Sequence, residues 1–159
     1  IISKFNNTTV QGAKGQTVEY GIHVPLFCNW PGTIASGRVN GSLIDFTDFL
    51  PTLADIANIP LPSDYGILDG LSFYPQLIST TGPVRNSIFT HFQSKNCNVR
   101  VDTLKRYAQD SIYKLYDAGP FIKFKTDVYE QSPLPDSLLT RKQKTIKKKL
   151  QDVIDQMHN

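Results

Sequence analysis

Residues 111–125 read Ser-Ile-Tyr-Lys-Leu-Tyr-Asp-Ala-Gly-Pro-Phe-Ile-Lys-Phe-Lys, and this stretch decides the fold of the C-terminal half of the chain. Residues 111–116 predict a strand whose side chains alternate between two faces. Ile112, Lys114 and Tyr116 face one way, and Tyr113 and Leu115 face the other. The Asp-Ala-Gly-Pro sequence at 117–120 is a turn signal, and residues 121–125 return the chain. This stretch therefore predicts a β-hairpin.

Two further elements extend this hairpin into a small domain. Residues 87–92, Ser-Ile-Phe-Thr-His-Phe, predict another strand, and Thr140 and Gln143 form a T-x-x-Q capping box at the start of a helix. Apolar residues recur at helical spacing along that helix, namely Ile146, Leu150, Val153, Ile154 and Met157. We therefore expect a small antiparallel sheet with the terminal helix packed across one of its faces.

The N-terminal half has the order loop, strand and helix, which is typical of an α/β sheet domain. Residues 1–20 are polar and contain turn clusters, so they predict an exposed loop. Residues 22–28 predict a buried strand, in which Cys28 would be a small buried thiol. Thr47 is the predicted cap of the helix that follows, with Pro51 in its first turns. The apolar stripe of this helix is expected to cover a sheet face and consists of Leu50, Leu53, Ala54 and Ala57.

The best candidate for a domain boundary is the Ser-Thr-Thr-Gly-Pro sequence at 79–83. It divides the chain into residues 1–80, the end of an α/β sheet domain, and residues 81–159, an α+β subdomain. The predicted fold class is therefore α/β followed by α+β.

Length and composition set further limits on the chain. A length of 159 residues allows one domain, or the end of a larger one with a small subdomain, and the 19% of charged residues is ordinary for a globular protein. No apolar run approaches the ~20 residues needed to cross a bilayer, so we expect no membrane partner. The opening at Ile1 without a methionine is typical of a cut or processed start. Cys28 and Cys97 show no metal-ligand spacing.

The formal net charge of +3 is unevenly distributed, because residues 141–149 read Arg-Lys-Gln-Lys-Thr-Ile-Lys-Lys-Lys. A block of this kind can attract nucleic acid or an anionic membrane. The same helix carries an apolar stripe, and no aromatic residues interleave with its lysines, so a solvated helix face is the favoured interpretation. We expect no nucleic-acid partner, and an anion-binding module that uses this helix remains an alternative.

Chemical motifs are few in this sequence. The histidines at 23, 91 and 158 are far apart and form no HxH or HxxxH spacing, and no GxSxG, Walker, GxGxxG or CxxC motif occurs. The best candidate is Lys14, within Gly-Ala-Lys-Gly-Gln-Thr at 12–17. Its glycines allow close approach of a ligand, and its ammonium is a compact charge for an anion. A solvent-exposed loop lysine without a function is the alternative interpretation.

The order of several short segments resembles the sulfatase family. The sequence Lys-Gly-Gln-Thr-Val-Glu-Tyr-Gly-Ile-His-Val-Pro at 14–25 is similar to the sulfatase pattern of Lys-Gly, Thr, Glu, two glycines and Arg-Val-Pro. The other segments follow in the order of the family, namely Trp30-Pro31-Gly32, residues 43–53 (LIDFTDFLPTL), Asp69-Gly70-Leu71-Ser72, Tyr113-Lys114-Leu115-Tyr116 and the turn from Asp127 to Leu134. Two residues depart from the pattern. Tyr20 replaces a common glycine, and His23 replaces the usual arginine.

The resemblance implies the end of an alkaline-phosphatase-like α/β sheet domain, followed by a small antiparallel sheet and a helix. Sulfatases hydrolyse sulfate esters with a formylglycine, made from Cys or Ser in a C/S-x-P-x-R motif, beside a bound calcium. Neither Cys28 nor Cys97 lies in such a motif, and the metal ligands of the family would precede Ile1. The resemblance therefore implies the C-terminal part of a sulfatase that holds no cofactor or metal itself and is inactive alone.

Within this resemblance, Lys14 is the implied catalytic residue and would bind the sulfate group. His91 is the candidate substrate-binding residue, because some bacterial sulfatases resemble this chain in an aromatic-rich His segment that faces the substrate. A histidine packed in the sheet is the alternative for His91. The implied partners are a sulfated small molecule or glycan and the missing N-terminal part of the protein, in a periplasmic or secreted location. A phosphodiesterase or phosphonate hydrolase of the same superfamily remains open, since a lysine loop does not separate sulfate from phosphate.

Overall fold

The main sheet is antiparallel and has four strands. A computed structural model of the chain describes residues 2–5, 8–78, 82–93 and 104–157. The strands are β1 (Ile2–Phe5), β2 (Thr8–Gln11), β3 (Ile88–Gln93), β4 (Leu104–Gln109), β5 (Lys114–Tyr116) and β6 (Phe121–Ile122). The helices are α1 (Glu19–Ile22), α2 (Phe49–Ala57), α3 (Tyr74–Ile78) and α4 (Arg141–Gln156). The predicted strand at 87–92 and the predicted hairpin correspond to β3 and to β5–β6, whereas β4 was not predicted.

The chain forms two compact units, and their limits differ from the predicted division into residues 1–80 and 81–159. The first unit combines Ile1–Pro25 with Phe89–Asn159, and the second is Leu26–Ile88. The N-terminal segment therefore belongs to the same unit as the C-terminal sheet. Residues 79–81 of the predicted boundary lie outside the described residues.

The four-stranded sheet, in the order β3-β4-β5-β6, is covered differently on its two faces. Tyr107 of β4 lies opposite Tyr116 of β5, and Lys114 of β5 lies opposite Ile122 of β6. Alternation along the strands places these four side chains on one face, which we call the loop side. The other face, the helix side, contributes to a core made of Ala108, Leu115, Phe121, Leu139, Leu150 and Ile154. The predicted alternation of residues 113–116 is thus confirmed.

Helix α4 covers the helix side as predicted. The amide of Gln143 donates to the Thr140 hydroxyl at 3.3 Å, and the amide of Thr140 donates to Gln143 Oε1 at 2.9 Å, so the predicted capping box is confirmed. Leu150 and Ile154 are buried in the core, and Ile146 and Val153 pack against it. Met157, the last residue of the predicted stripe, is exposed because the helix ends there.

The prediction of an exposed loop over residues 1–20 is wrong for Ile2–Phe5 and Thr8–Gln11, which form strands, although most of the described residues in this range are exposed as expected. β1 and β2 pair as an antiparallel hairpin in which Ile2 lies opposite Gln11 and Ser3 lies opposite Val10. β-Branched residues in both short segments favour extended backbone, and this preference outweighs the polar composition. The hairpin is held to the C-terminal part of the same unit by the Gln11 amide, which donates to the Tyr129 hydroxyl at 3.2 Å.

The predicted buried strand at residues 22–28 is also wrong. The chain forms the short helix α1 up to Ile22, and residues 23–30 have no regular secondary structure. Phe27 is 89% exposed, and Cys28 is an exposed free thiol rather than a buried one. The physical reason is that Pro25 has no amide to donate, and no strand of the described residues runs beside this segment.

Helix α2 of the second unit begins at Phe49 and contains Pro51 in its first turn, as predicted. Thr47 is not its cap, because it lies within a preceding 3-10 turn and its hydroxyl donates to Asp45 Oδ2 at 2.9 Å. The predicted apolar stripe does not cover a sheet face, since Leu50 and Leu53 are exposed. Among the described residues, the only β pairing within 26–88 is an isolated bridge from residue 43 to residue 85, so the second unit has no sheet to cover.

The carboxylate of Asp48 is buried and joins three segments of the second unit. It accepts hydrogen bonds from Arg85 Nε at 3.0 Å and from Arg85 Nη2, from the Leu71 amide at 2.6 Å and from the Asp45 amide at 2.8 Å. Burial would raise the pKa of Asp48, but Arg85 and the two amides outweigh it and lower that pKa below its ordinary value of 3.8. Residues 43–53 and 69–72, which carry part of the family resemblance, are therefore linked through one structural ion pair.

We expect Asp48→Asn to lower the free energy of unfolding by about 1.5–3 kcal/mol at neutral pH, because Arg85 loses a charged acceptor. Since the pKa of folded Asp48 lies below 3.8, its contribution is complete above that pH and is lost as the pH falls toward the folded-state pKa. Urea titrations at several pH values should show that the difference in the free energy of unfolding between Asp48→Asn and wild type becomes smaller in acid. Asp55→Asn on the exposed face of α2 is the control, and a difference that does not change with pH would contradict this role of Asp48.

Candidate functional site

The loop that carries Lys14 has a buried base and an exposed tip. Ala13 and Thr17 are buried, whereas Lys14, Gly15 and Gln16 between them are exposed. The amide of Gln16 donates to the Ala13 carbonyl oxygen at 2.9 Å, which closes a tight turn. Gly15 has a φ of +79° in that turn, a conformation that favours glycine. The predicted candidate residue therefore projects from a defined turn, which we call the Lys14 loop (residues 13–17).

Gly21 allows the chain that follows to fold back closely on the Lys14 loop. A Cβ atom at this position would collide with the carbonyl oxygens of Gln16 and Ala13. The neighbouring Tyr20 is tolerated where the family often has glycine, because its ring lies at the surface. This ring packs edge-on against the ring of Tyr129, with the two ring centres 5.4 Å apart. The two glycines of the family pattern are therefore not equivalent here, and only the second is required by close packing.

The Lys14 loop is attached to the loop side of the sheet by a buried polar network. The Thr17 carbonyl oxygen accepts a hydrogen bond from Lys114 Nζ at 2.5 Å, and the Thr17 hydroxyl lies 2.8 Å from the Tyr116 hydroxyl. Lys114 Nζ also donates to Glu130 Oε1 at 2.5 Å, and the Tyr116 hydroxyl donates to Glu130 Oε2 at 2.5 Å. Both oxygens of one carboxylate thus bind the two strand residues that hold Thr17, and we call these four residues the anchor network.

Burial dominates the electrostatics of the anchor network. The Lys114 side chain is fully buried, and this burial lowers its pKa, although the Glu130 carboxylate opposes the shift. Its ammonium also lies 4.6 Å from the centre of the Tyr107 ring, which adds a cation–π contact. Burial and the Glu130 carboxylate both raise the pKa of Tyr116, so this hydroxyl stays protonated and acts as a donor. The network therefore joins the Lys114–Glu130 salt bridge to a neutral phenol.

A local turn explains why Glu130 reaches the anchor network. The amide of Glu130 donates to the Asp127 carbonyl oxygen at 3.0 Å, and Glu130 itself has a φ of +57°. The Asp127 carboxylate accepts from the amides of Gln131 at 3.0 Å and Ser132 at 2.8 Å, which fixes the chain after the turn. The Asp127–Glu130 spacing that resembles the sulfatase pattern therefore serves to aim one carboxylate at the sheet.

His23, which stands where the family usually has arginine, forms a local ion-pair geometry. Its Nδ1 lies 2.9 Å from Glu19 Oε1, and Lys125 Nζ approaches the same oxygen at 3.6 Å. The Glu19 side chain is nearly buried, whereas two thirds of the His23 side chain is exposed. Glu19 and His23 both lie in the segment after the Lys14 loop. His23 contacts the Glu19 carboxylate, a contact that an arginine at this position could also make.

His91 and the Lys14 loop lie on different faces of the sheet. His91 is exposed on β3, two residues after Phe89, which packs against the core on the helix side. Alternation therefore places His91 toward the helix side, whereas the Lys14 loop is attached to the loop side. The structure does not bring the two predicted site residues to the same face of the sheet, and the substrate-binding role of His91 remains a prediction.

The basic row at 141–149 lies on α4, and part of its charge is neutralised. Lys147 Nζ lies 2.6 Å from Asp136 Oδ1, and Lys148 Nζ lies 3.1 Å from Asp152 Oδ1. An open groove of about 590 Å³ beside α4 is lined by as many aspartates as lysines. The opposite face of the helix supplies Leu150 to the core, in agreement with the favoured interpretation of a structural helix with a solvated face.

Thr17, Lys114, Tyr116 and Glu130 are the site residues that sequence reasoning missed. All four lie in segments that resemble sulfatase motifs, but the motifs alone assign them no role. A lysine that shares one strand face with a tyrosine is a usable signal, because aromatic neighbours can bury its stem and receive its charge. Lys114 contacts Thr17, which is 97 residues away in sequence, and no local pattern indicates this contact.

Residues 2–5, 8–78, 82–93 and 104–157 contain neither a metal-ligand cluster nor a membrane span. Over these residues, the structure brings together no group of three His, Cys, Asp or Glu side chains that could hold a metal ion. Within the same residues, none of the helices has the length and apolar character needed to cross a bilayer. His158 and Cys97 lie outside the described residues.

The fold and the ordered motifs together define a C-terminal sulfatase domain. Residues 14–159 match the family described as "N-sulphoglucosamine sulphohydrolase, C-terminal". Since this match covers most of the chain, the chain belongs to that family. The sulfatase resemblance of the sequence is thereby confirmed.

Curated relatives are sulfatases that are much longer than this chain. Arylsulfatase A of Homo sapiens is 43% identical over 76 residues, which are 48% of this chain and 14% of the human protein. Steryl-sulfatase of Mus musculus is 26% identical over 115 residues, or 72% of this chain and 18% of the mouse protein. Ulvan-active sulfatase of Formosa agariphila is 37% identical over 71 residues, which are 45% of this chain and 14% of the Formosa protein. The chain spans less than a fifth of each of these relatives.

Two solved structures share the fold of this chain. A 2-O GAG sulfatase aligns with a TM-score of 0.50 and 23% identity, over 69% of this chain and 23% of that chain. A protein in complex with its substrate D-glucosamine-2-N,6-O-disulfate aligns with a TM-score of 0.51 and 22% identity over the same shares. At these identities the likeness concerns the fold alone.

Proposed function

We propose that this chain is the C-terminal part of an enzyme that hydrolyses sulfate esters, and that Lys14 binds the sulfate group of the substrate. The observation that carries this proposal is the contrast between the exposed Lys14 and the buried residues on both sides of it. A lysine in an ordinary surface loop does not need a base that is attached to a sheet through a fully buried ion pair. The family to which the chain belongs supports the same reaction class.

The chemistry of sulfate esters suits a fixed ammonium group. As the bond between sulfur and the leaving oxygen breaks, negative charge shifts onto the sulfate oxygens and the leaving group. An ammonium held within ~3 Å of these oxygens stabilises that charge without a proton transfer. Gly15 beside Lys14 leaves room for the ester to approach the backbone of the turn.

In this proposal the remaining catalytic groups belong to polypeptide outside these 159 residues. A formylglycine nucleophile and a calcium ion are what the sulfatase resemblance implies, and the described residues offer no group of three potential ligands for the metal. The substrate is a sulfated small molecule or glycan, and His91 is the proposed contact to its more distant parts. A periplasmic or secreted location follows from the family resemblance.

Hydrolysis of p-nitrophenyl sulfate by the complete protein that carries this chain tests the proposal. We expect turnover by the complete protein and none by residues 1–159 alone, because the nucleophile is supplied from outside this segment. Bis(p-nitrophenyl) phosphate is the comparison substrate for the phosphodiesterase alternative. Faster hydrolysis of the phosphate diester would overturn the sulfatase assignment, and turnover by residues 1–159 alone would overturn the proposed position of the nucleophile.

A further inference from the structure

We propose that Tyr116 and Glu130 are positioning residues, which act on the reaction by holding Thr17 and thereby the Lys14 loop in one place. The inference rests on the proposed function of Lys14. Neither residue needs to touch the substrate, and their effect on the reaction passes through the orientation of one ammonium group.

The hydrogen bonds of the anchor network have a fixed direction. The Glu130 carboxylate beside the Lys114 ammonium can only accept, so the Tyr116 hydroxyl must donate its single proton to Glu130 Oε2 at 2.5 Å. The Tyr116 oxygen is then left as an acceptor, and the Thr17 hydroxyl at 2.8 Å must be the donor. The chain of bonds from Thr17 through Tyr116 to Glu130 therefore has one arrangement, which gives Thr17 one orientation.

The network reaches the loop at the position where it can control Lys14. Thr17 is three residues after Lys14, is 1% exposed, and is held through both its carbonyl oxygen and its hydroxyl. The exposed tip from Lys14 to Gln16 is closed by a hydrogen bond to buried Ala13. A shift of Thr17 would therefore move the whole turn, and a misplacement of ~1 Å at a reacting centre costs about 10²-fold in rate.

Tyr116→Phe in the complete protein tests this role, with Tyr113→Phe as the matched control. The control removes the same hydroxyl from a residue on the helix side of the sheet, where it contacts Gln143 at 3.5 Å. We expect kcat for p-nitrophenyl sulfate to fall about 10- to 100-fold in Tyr116→Phe and to change less than about twofold in Tyr113→Phe. Thermal melting of both variants would establish that they are folded at the assay temperature.

A double-mutant cycle separates positioning from a merely structural role. In a Lys14→Met background, Tyr116→Phe should lower kcat by less than about twofold, because the group that it positions is already missing. Thr17→Val removes the other partner of the same hydrogen bond and should behave like Tyr116→Phe. The inference is overturned if Tyr116→Phe and Thr17→Val leave kcat unchanged, or if their losses are equally large without Lys14. An unchanged kcat in Lys14→Met alone would instead overturn the proposed function.

Discussion

Lys114→Met is expected to lower the free energy of unfolding by about 3–5 kcal/mol, because it leaves the Glu130 carboxylate buried without its charged partner. Glu130 is only 6% exposed, so water cannot replace the lost ammonium. Methionine keeps most of the apolar stem that packs beside Tyr107, so the loss should reflect the charge rather than a cavity. Urea unfolding of wild type and variant at neutral pH measures this difference.

Two further variants define the cause of this loss. Lys148→Met removes a lysine from an exposed pair with Asp152, and it should cost less than about 1 kcal/mol. Adding Glu130→Gln to Lys114→Met removes the unpaired carboxylate and should restore part of the lost stability. A loss in Lys114→Met that is no larger than in Lys148→Met would mean that the ion pair does not hold the anchor network together.

Local patterns predicted the elements that are stabilised by contacts close in sequence. The β5–β6 hairpin follows from alternation and a Gly-Pro turn, and α4 follows from its capping box and apolar stripe. In both cases neighbours within a few residues supply the decisive contacts, such as Thr140 with Gln143. The β5–β6 hairpin and α4 could therefore be foreseen from the sequence, whereas β4 of the same sheet was not.

The predictions failed where the structure of a segment depends on residues that are distant in sequence, or where the segment is too short to show a periodic pattern. Residues 22–28 have strand composition, but a strand needs a neighbour to receive its hydrogen bonds, and composition cannot show whether one is present. Leu50 and Leu53 have helical spacing, but the spacing does not reveal that they remain exposed in the second unit. The β1–β2 hairpin has only four residues in each strand, which is too short for a reliable periodic signal.

The sequence suggested Lys14 as a candidate site residue but did not indicate the residues that hold its loop in place. Lys14 could be selected because glycine neighbours and a family pattern both mark it. Lys114 lies on a face that alternation alone would assign to solvent, and it is buried because the Lys14 loop and the Glu130 turn cover that face. A tertiary contact thus reverses the expected environment of a charged residue, and no local rule predicts such a reversal.

Lys14→Met in the complete protein is expected to reduce kcat for p-nitrophenyl sulfate by about 10²- to 10³-fold, the usual effect of losing one fixed donor to a developing anion. Because the Lys14 side chain is exposed, its replacement should change the free energy of unfolding by less than about 0.5 kcal/mol. Lys14→Arg should restore only part of the rate, since a planar guanidinium cannot reproduce the position of a compact ammonium. Steady-state kinetics and urea unfolding of the same preparations measure both quantities.

The value of kcat in Lys14→Met, compared with Lys4→Met, tests most directly whether the chain presents Lys14 to the sulfate group. Lys4 is an exposed lysine on β1 of the same unit, so its replacement makes the same chemical change away from the Lys14 loop. The account predicts a loss of at least about 10²-fold for Lys14→Met and a change below about twofold for Lys4→Met. Equal rates in the two variants, with both folded, would contradict it.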